Sequence, residues 1–289
     1  MTAIDTTTVQ TLRARQSAGE SLGKLAREIG VPWQRLWGVL RSAHPASAAP
    51  SGNILQRPAS AGSLVERYRP LSLSALWGQD QVAKVLSAFA KSPHSAAFLF
   101  EGYTGTGKTS AALALAGELG CDLSQRPQEF GGVYSIASGE QSADAVRETA
   151  RLMHNCPFSG SGWKVVIVNE ADRMARAAET IWLDVLECLP RRTVVIFTTN
   201  ESDRLSPRFL DRCTRLAFES DTAKVEASMR ELLSAMWKSE TGGTVPPAGM
   251  IDEVIRSGCQ AGKLGYQDGK LSFRRAVQAL SVRLAERSN

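Results

Sequence analysis

Residues 97–119 read AFLFEGYTGTGKTSAALALAGEL. A short apolar run, Ala97–Glu101, leads into Gly102-Tyr103-Thr104-Gly105-Thr106-Gly107-Lys108-Thr109, and an Ala/Leu-rich helix follows over Thr109–Leu119. The central octet satisfies G-x-x-x-x-G-K-[ST], in the strand-before, helix-after setting that gives the pattern its mechanism. Glycines let the backbone turn its N–H groups inward around a phosphate. The N-terminal end of the following helix adds partial positive charge. Lys108 then supplies a point charge to the β and γ phosphates, and Thr109 offers a hydroxyl to Mg²⁺. Gly102 through Ser110 is therefore the expected contact set for a nucleoside triphosphate.

Further along, Lys164–Val168 (KVVIV) is β-branched and apolar and is followed by Asn169-Glu170-Ala171-Asp172. A phosphate loop needs a second strand with an acid at its end. Glu170 is placed to polarise a water for attack on the γ-phosphate, and Asn169 stands where an Mg²⁺-holding aspartate is usual. The neutral amide removes one formal charge from the ion's shell, so binding is expected to be stronger than turnover. A third run, Thr193–Phe197 (TVVIF), ends in Thr198-Thr199-Asn200, and a polar amide at that strand end can orient the attacking water. Val133–Ile136 reads as a strand, Ala143–Met153 and Thr180–Leu189 as helices, and Arg215–Phe218 as an edge strand. Apolar strands alternating with helices predict a parallel sheet covered on both faces. After Asp221 the strand signals stop, and the rest reads as helical with a break at Thr241–Pro247.

The 289-residue chain carries a net charge of +5. Residues 1–63 hold seven basic and three acidic side chains, so this segment accounts for +4 of that total. A basic segment of this kind favours a polyanion partner. The five cysteines are scattered with no CxxC pair; neither a zinc site nor a disulfide framework is expected, and the thiols are read as reduced and mostly buried. No signal-peptide pattern opens the chain, and no apolar run approaches the roughly 18 residues a spanning helix needs. A cytoplasmic protein without membrane contact is expected. Residues 42–63, SAHPASAAPSGNILQRPASAGS, are rich in Ala, Ser, Pro and Gly and nearly lack large apolar side chains; that composition reads as a flexible linker.

Ahead of the linker, residues 20–41 read ESLGKLAREIGVPWQRLWGVLR. Leu22, Leu25, Ala26 and Ile29 share one helical face, Gly30 ends that helix, Pro32 suits the first turn of another, and Leu36, Val39 and Leu40 form its apolar face. The pattern resembles a helix-turn-helix. Trp33, Gln34 and Arg35 would then face DNA bases, and Arg27 and Arg41 would contact phosphates. The competing reading is a helical pair that docks on protein, since Trp33 and Trp37 also suit such an interface.

Residues 64–218 resemble the AAA+ ATPases, specifically the clamp-loader clade of replication factor C small subunits. Glu66-Arg67-Tyr68-Arg69-Pro70 with Trp77-Gly78-Gln79 is similar to that clade's approach segment, which lies against adenine and implicates Arg69 and Pro70 as nucleotide contacts. Asn169-Glu170-Ala171-Asp172 stands where the family has Asp-Glu-Ala-Asp, and Asn200 matches its sensor-one position. Asp211-Arg212-Cys213 resembles the Ser-Arg-Cys element, with Asp211 replacing the serine. Phe273-Arg274-Arg275-Ala276 resembles the sensor-two helix, with Leu271 and Ser272 in place of the usual glycine and aspartate. The resemblance implies ATP and Mg²⁺ as cofactors, Arg212 as an arginine finger reaching a neighbouring subunit's nucleotide, and Arg274 facing the γ-phosphate. It also implies assembly with copies of itself or other AAA+ subunits on DNA, with a sliding clamp as a further partner.

The expected organisation is a helix-turn-helix module over 1–42, a linker over 43–63, an α/β nucleotide-binding domain over 64–220 and a helical lid over 221–289. No collar domain is expected after the lid, a departure from clamp loaders. Three functions follow as alternatives: an active ATPase in replication, repair or mobile-element DNA transactions; a non-hydrolysing ATP switch that supports partner subunits; and a sequence-specific regulator led by the N-terminal module.

Overall fold

A computed structural model describes residues 62–125, 127–261 and 267–288, together with Arg27, Glu28 and Gly30. Its centre is a five-stranded sheet of β1 (Ala96–Glu101), β2 (Val133–Ile136), β3 (Lys164–Val168), β4 (Thr193–Thr199) and β5 (Thr214–Ala217), in the order β2-β3-β4-β1-β5. Every neighbouring pair is parallel, with Phe98 beside Ile196 and Val166 beside Val195. The apolar runs have no polar face because both faces are covered. Alternate residues supply two separate cores. Phe98, Phe100, Val165, Ile167, Val194 and Ile196 pack on one side; Ala97, Leu99, Val166, Val168, Val195 and Phe197 pack on the other.

The first face is covered by α2 (Asp80–Lys91) and α3 (Lys108–Glu118). The alanines at 111, 112, 114 and 116 are all fully buried, so α3 lies close to the sheet that feeds it. The second face is covered by α4 (Ala143–Leu152), α5 (Arg176–Glu187) and the short α6 (Pro207–Leu210), through Val146, Trp182 and Phe209. Lys164, at the start of β3, is buried and donates to the carbonyl of Met153 just past α4, which ties that helix end to the sheet.

A third core belongs to the C-terminal elements: α7 (Thr222–Glu240), α8 (Met250–Gly258) and α9 (Phe273–Ser288). On α7, Val225, Met229, Leu232, Leu233 and Met236 form the buried stripe, the spacing of an amphipathic helix. Leu64 and Tyr68, from and just after α1 (Leu64–Arg67), pack into this same core. Glu240 at the end of α7 accepts from both Arg67 and Tyr68 at 2.8 Å.

The structure corrects two expectations. The C-terminal region is not wholly helical: β6 (Cys259–Ala261) and β7 (Gln267–Leu271) form an antiparallel pair between α8 and α9. Glycines at 258, 262, 265 and 269 crowd this stretch, and each costs a helix interior about 1 kcal/mol. The pair is seated on the start of α7: Leu271 N–H donates to the Ser220 carbonyl at 2.8 Å, and the Thr222 hydroxyl donates to the Gly269 carbonyl at 2.7 Å. The cysteines are also less buried than expected. Cys121 and Cys213 are buried, with burial raising both thiols to a pKa of about 12, but Cys156 and Cys188 are exposed and Cys259 is half-buried.

Arg27 and Glu28 are helical, and Gly30 turns with φ +66°. The rest of the expected helix-turn-helix, including Trp33, Gln34, Arg35 and Arg41, lies outside the described residues. No helix among the described residues is long and apolar enough to cross a membrane.

Candidate nucleotide-binding site

The carboxyl ends of β1, β3 and β4 converge at one edge of the sheet, and the phosphate loop springs from the first. Gly102 has φ +146°, and a Cβ there would lie 2.8 Å from the Phe218 carbonyl, so the loop leaves β1 pressed against the chain after β5. Gly107 caps α3 with φ +97° and no side-chain cap bond. The first N–H groups of a helix have no intrahelical partner, and here they open toward the cleft. Thr106 braces the loop from within, its hydroxyl donating to the Tyr103 carbonyl at 2.8 Å. Thr104 stays exposed beside the cleft.

Lys108 is buried and donates to the carbonyls of Gly102 at 2.7 Å and Tyr103 at 2.8 Å, and to Oδ1 of Asn200 at 2.9 Å. Burial holds its pKa down to about 8, opposed by the charge on Asp172 and reinforced by that on Arg274. Asp172 also sets the end of β4: its Oδ1 accepts from the Thr199 hydroxyl at 2.8 Å and from the Asn200 N–H at 3.2 Å. Lys108 and Asn200 therefore meet directly, and Asp172, which the sequence marks only as part of a motif, anchors the strand end that carries Asn200.

Asn169 and Thr109 also meet. The Thr109 hydroxyl donates to Asn169 Oδ1 at 3.0 Å. Nδ2 of Asn169 faces Ser135 Oγ and the Ile136 carbonyl, each at 3.4 Å, which turns the amide oxygen toward the loop. Two hard oxygens at this point suit Mg²⁺, although both are neutral. Glu170, the next residue, has φ +53° and donates its N–H to Thr198 Oγ1 at 3.1 Å. Its carboxylate accepts from Ser138 and pairs with Arg173 at 3.2 Å.

The other end of the cleft is apolar. Tyr68, Pro70, Leu76 and Trp77 from the approach segment face Met236 and Phe273 from the C-terminal core across a partly open apolar cavity. Arg69, ion-paired with Glu66 at 2.6 Å, and Ser110 border both ends. Arg274 also borders both, and its N–H donates to the Gly105 carbonyl at 3.3 Å. A Cβ on Gly105 would lie 2.1 Å from Ser272 Oγ, so the C-terminal core rests directly on the phosphate loop. The β6–β7 pair adds a contact that the sequence did not signal: the Lys270 ammonium lies 4.8 Å from the centre of the Tyr103 ring. Arg212 does not line this chain's cleft; it pairs with Glu187 and donates to the Arg208 carbonyl at 3.1 Å. Among the described residues no group of His, Cys, Asp and Glu is arranged to hold a metal by itself.

This geometry agrees with what the chain resembles. A family profile described as DNA polymerase III, delta subunit, matches residues 78–222, half of the chain. Replication factor C subunit 3 of Saccharomyces cerevisiae is 34% identical over 160 residues, covering 54% of this chain and 45% of that protein. The replication factor C small subunit of Picrophilus torridus is 31% identical over 170 residues, covering 58% of this chain and 52% of that protein. The chain thus spans about half the length of the curated relatives it matches. Among solved structures, the RuvB Holliday junction branch migration motor of Thermotoga maritima superposes with a TM-score of 0.51 at 20% identity, covering 74% of this chain and 64% of that one, a likeness of fold. With a phosphate loop, an acid-bearing second strand and a polar third strand end converging on one cleft, the chain belongs to the DNA polymerase III delta subunit family and is a clamp-loader-like AAA+ protein.

Proposed function

We propose that this chain binds ATP between the phosphate loop and the C-terminal lid and uses it to drive assembly on DNA. The observation that carries the reading is the convergence of Lys108, Asn200, Thr109, Asn169 and Arg274 on one cleft with an apolar end. In this reading the base sits between the approach segment and the lid, with Arg69 and Pro70 beside it. The triphosphate lies along Gly102–Ser110, where Lys108 exchanges its carbonyl partners for phosphate oxygens. Thr109 and Asn169 would hold Mg²⁺, which supplies charge neutralisation to the phosphates. Glu170 orients and deprotonates the attacking water, Asn200 fixes its position, and Arg274 answers charge on the γ-phosphate. Arg212, directed away from its own cleft, would complete a neighbour's site.

The organisation that goes with this reading is an α/β unit over 64–220 and a lid over 221–289, preceded by a DNA-contacting module over 1–42 and a linker over 43–63. Other AAA+ subunits, DNA and a sliding clamp are the proposed partners, in replication, repair or mobile-element transactions in the cytoplasm.

A complementation test separates this from simpler readings. Lys108→Ala should weaken ATP binding about 100-fold, and Arg212→Ala should bind ATP but not turn it over. Mixing the two variants on DNA should restore part of the wild-type rate. No gain on mixing would sink the intersubunit site. A second reading, an ATP switch with little turnover, is favoured by the uncharged Asn169. It predicts negligible wild-type hydrolysis with or without DNA, and a rise of roughly tenfold in Mg²⁺ affinity in Asn169→Asp.

A further inference from the structure

The loop between β2 and α4 buries one polar side chain, Gln141, which is 4% exposed. Its Nε2 donates to two successive main-chain oxygens, those of Asn169 and Glu170, the second at 3.2 Å. Its Oε1 is buried without a partner. An unmet buried acceptor is destabilising, a cost that an apolar side chain of the same shape would avoid. A fold that keeps the amide here therefore draws something from its two donors.

What they hold is a strained turn. Glu170 is one of two described non-glycine residues with positive φ, at +53°; such a conformation is unfavourable for a side-chain-bearing residue and persists only where its surroundings enforce it. The peptide group between Asn169 and Glu170 is gripped at both ends. Its carbonyl accepts from Gln141, and its N–H donates to Thr198 Oγ1 at 3.1 Å. The next carbonyl accepts from Gln141 as well. The Glu170 carboxylate has separate partners in Ser138 and Arg173, so Gln141 acts on the backbone and not on the acid itself.

We propose that Gln141 is a positioning residue of the nucleotide site. By fixing the 169–170 peptide groups it aims Asn169 Oδ1 at Thr109 and sends the Glu170 side chain off the end of β3 toward the phosphate end of the cleft. This rests on the nucleotide-site reading above. The segment that carries Gln141 ends in Ser142, the cap of α4, so whatever displaces that helix start would also loosen the ion-binding side of the site.

Two near-isosteric variants of the full chain test it. Gln141→Met removes the donors and the unmet acceptor together; Gln141→Glu keeps the shape but replaces the two amide donors with at most one, present only when the carboxyl is protonated. Without any ligand, amide exchange across residues 169–173 should accelerate roughly tenfold in both variants, while the β4 core stays protected. The gain in ATP affinity on adding Mg²⁺ should shrink roughly tenfold, with Mg²⁺-free ATP affinity unchanged. A wild-type Mg²⁺ gain in both variants overturns the proposal, as does an equal loss of Mg²⁺-free binding, which would mark a merely structural role. If the wild-type chain binds no ATP, the nucleotide-site reading fails first. The exchange rates then decide by themselves whether Gln141 holds the 169–170 backbone.

Discussion

The two ends of the cleft are built in opposite ways. The phosphate end is polar and comes from the carboxyl ends of adjacent parallel strands, each carrying its functional residues in one contiguous run. The other end, the proposed base end, is apolar and comes from chain segments far apart, Tyr68 to Trp77 on one side and Met236 to Phe273 on the other. Phosphate recognition needs N–H groups and one ammonium at fixed spacing, which a loop before a helix supplies locally. Enclosing a flat base needs two opposed surfaces, and only tertiary packing can oppose them. The seam between the ends is narrow, running through Gly105, Ser272 and Arg274.

The heaviest blow to the base end should come from Met236→Ala. Met236 is 1% exposed in the C-terminal core and also faces the cleft, so truncation is expected to cost about 2–5 kcal/mol of stability. Denaturant unfolding would register it, and a loss under 1 kcal/mol would mean that the two sides of the cleft do not share this packing.

At the phosphate end, Lys108→Ala should weaken ATP binding about 100-fold without unfolding the chain, the scale of a buried charge-assisted contact. Titration calorimetry reads this directly. The same lysine sets a pH dependence. Burial lowers its pKa to about 8, so the ligand-free protein carries the neutral amine above that pH, whereas a bound phosphate favours the ammonium. Affinity should therefore hold below pH 8 and fall about tenfold per unit above it, with proton uptake on binding. The sign for stability is the reverse. The depressed pKa means that the unfolded chain binds more protons, so stability rises from pH 8 toward 10.5 as the folded form sheds the buried charge.

Gly105→Ala attacks the seam. The new methyl would strike Ser272 Oγ, and the residue sits at φ +78°, so the lid must lift off the loop. Roughly tenfold weaker ATP binding is expected, from lost contacts at the base end while the phosphate end persists. Equal losses for ATP and inorganic triphosphate would show that the seam does not divide the two ends. The smallest effect belongs to Lys270→Ala, which removes the cation above Tyr103. An exposed contact of this kind is worth about 0.5–1 kcal/mol, so a two- to fivefold change in ATP affinity is the expected reading.

Legibility along the chain follows the same division. The cores of β3 and β4 are plain in the sequence, because residues buried on both faces leave an unbroken apolar run. α5 starts at Arg176, four residues ahead of the Thr180 start that periodicity predicts, since Ala175 caps it without a side-chain bond. The β6–β7 pair went unseen because its strands are short, polar and glycine-rich, and they form by docking on the start of α7. The sequence marks Asp172 only as part of a four-residue motif; its hold on Thr199 and Asn200 spans 27 and 28 residues of sequence.

By itself, the sequence determined the phosphate loop, the order of the strand-end residues and the parallel sheet that presents them. Those features depend on periodicity and on side chains next to one another in the chain. Only the tertiary structure decided that Asn200 reaches Lys108, that Asn169 turns its oxygen toward Thr109, and that Gln141 holds the strained turn at Glu170. It also decided that Ser272 and Arg274 of the C-terminal core rest on Gly105. Each of these is a contact between residues brought together by burial of three separate cores, and no local pattern encodes which partner a buried polar group will find.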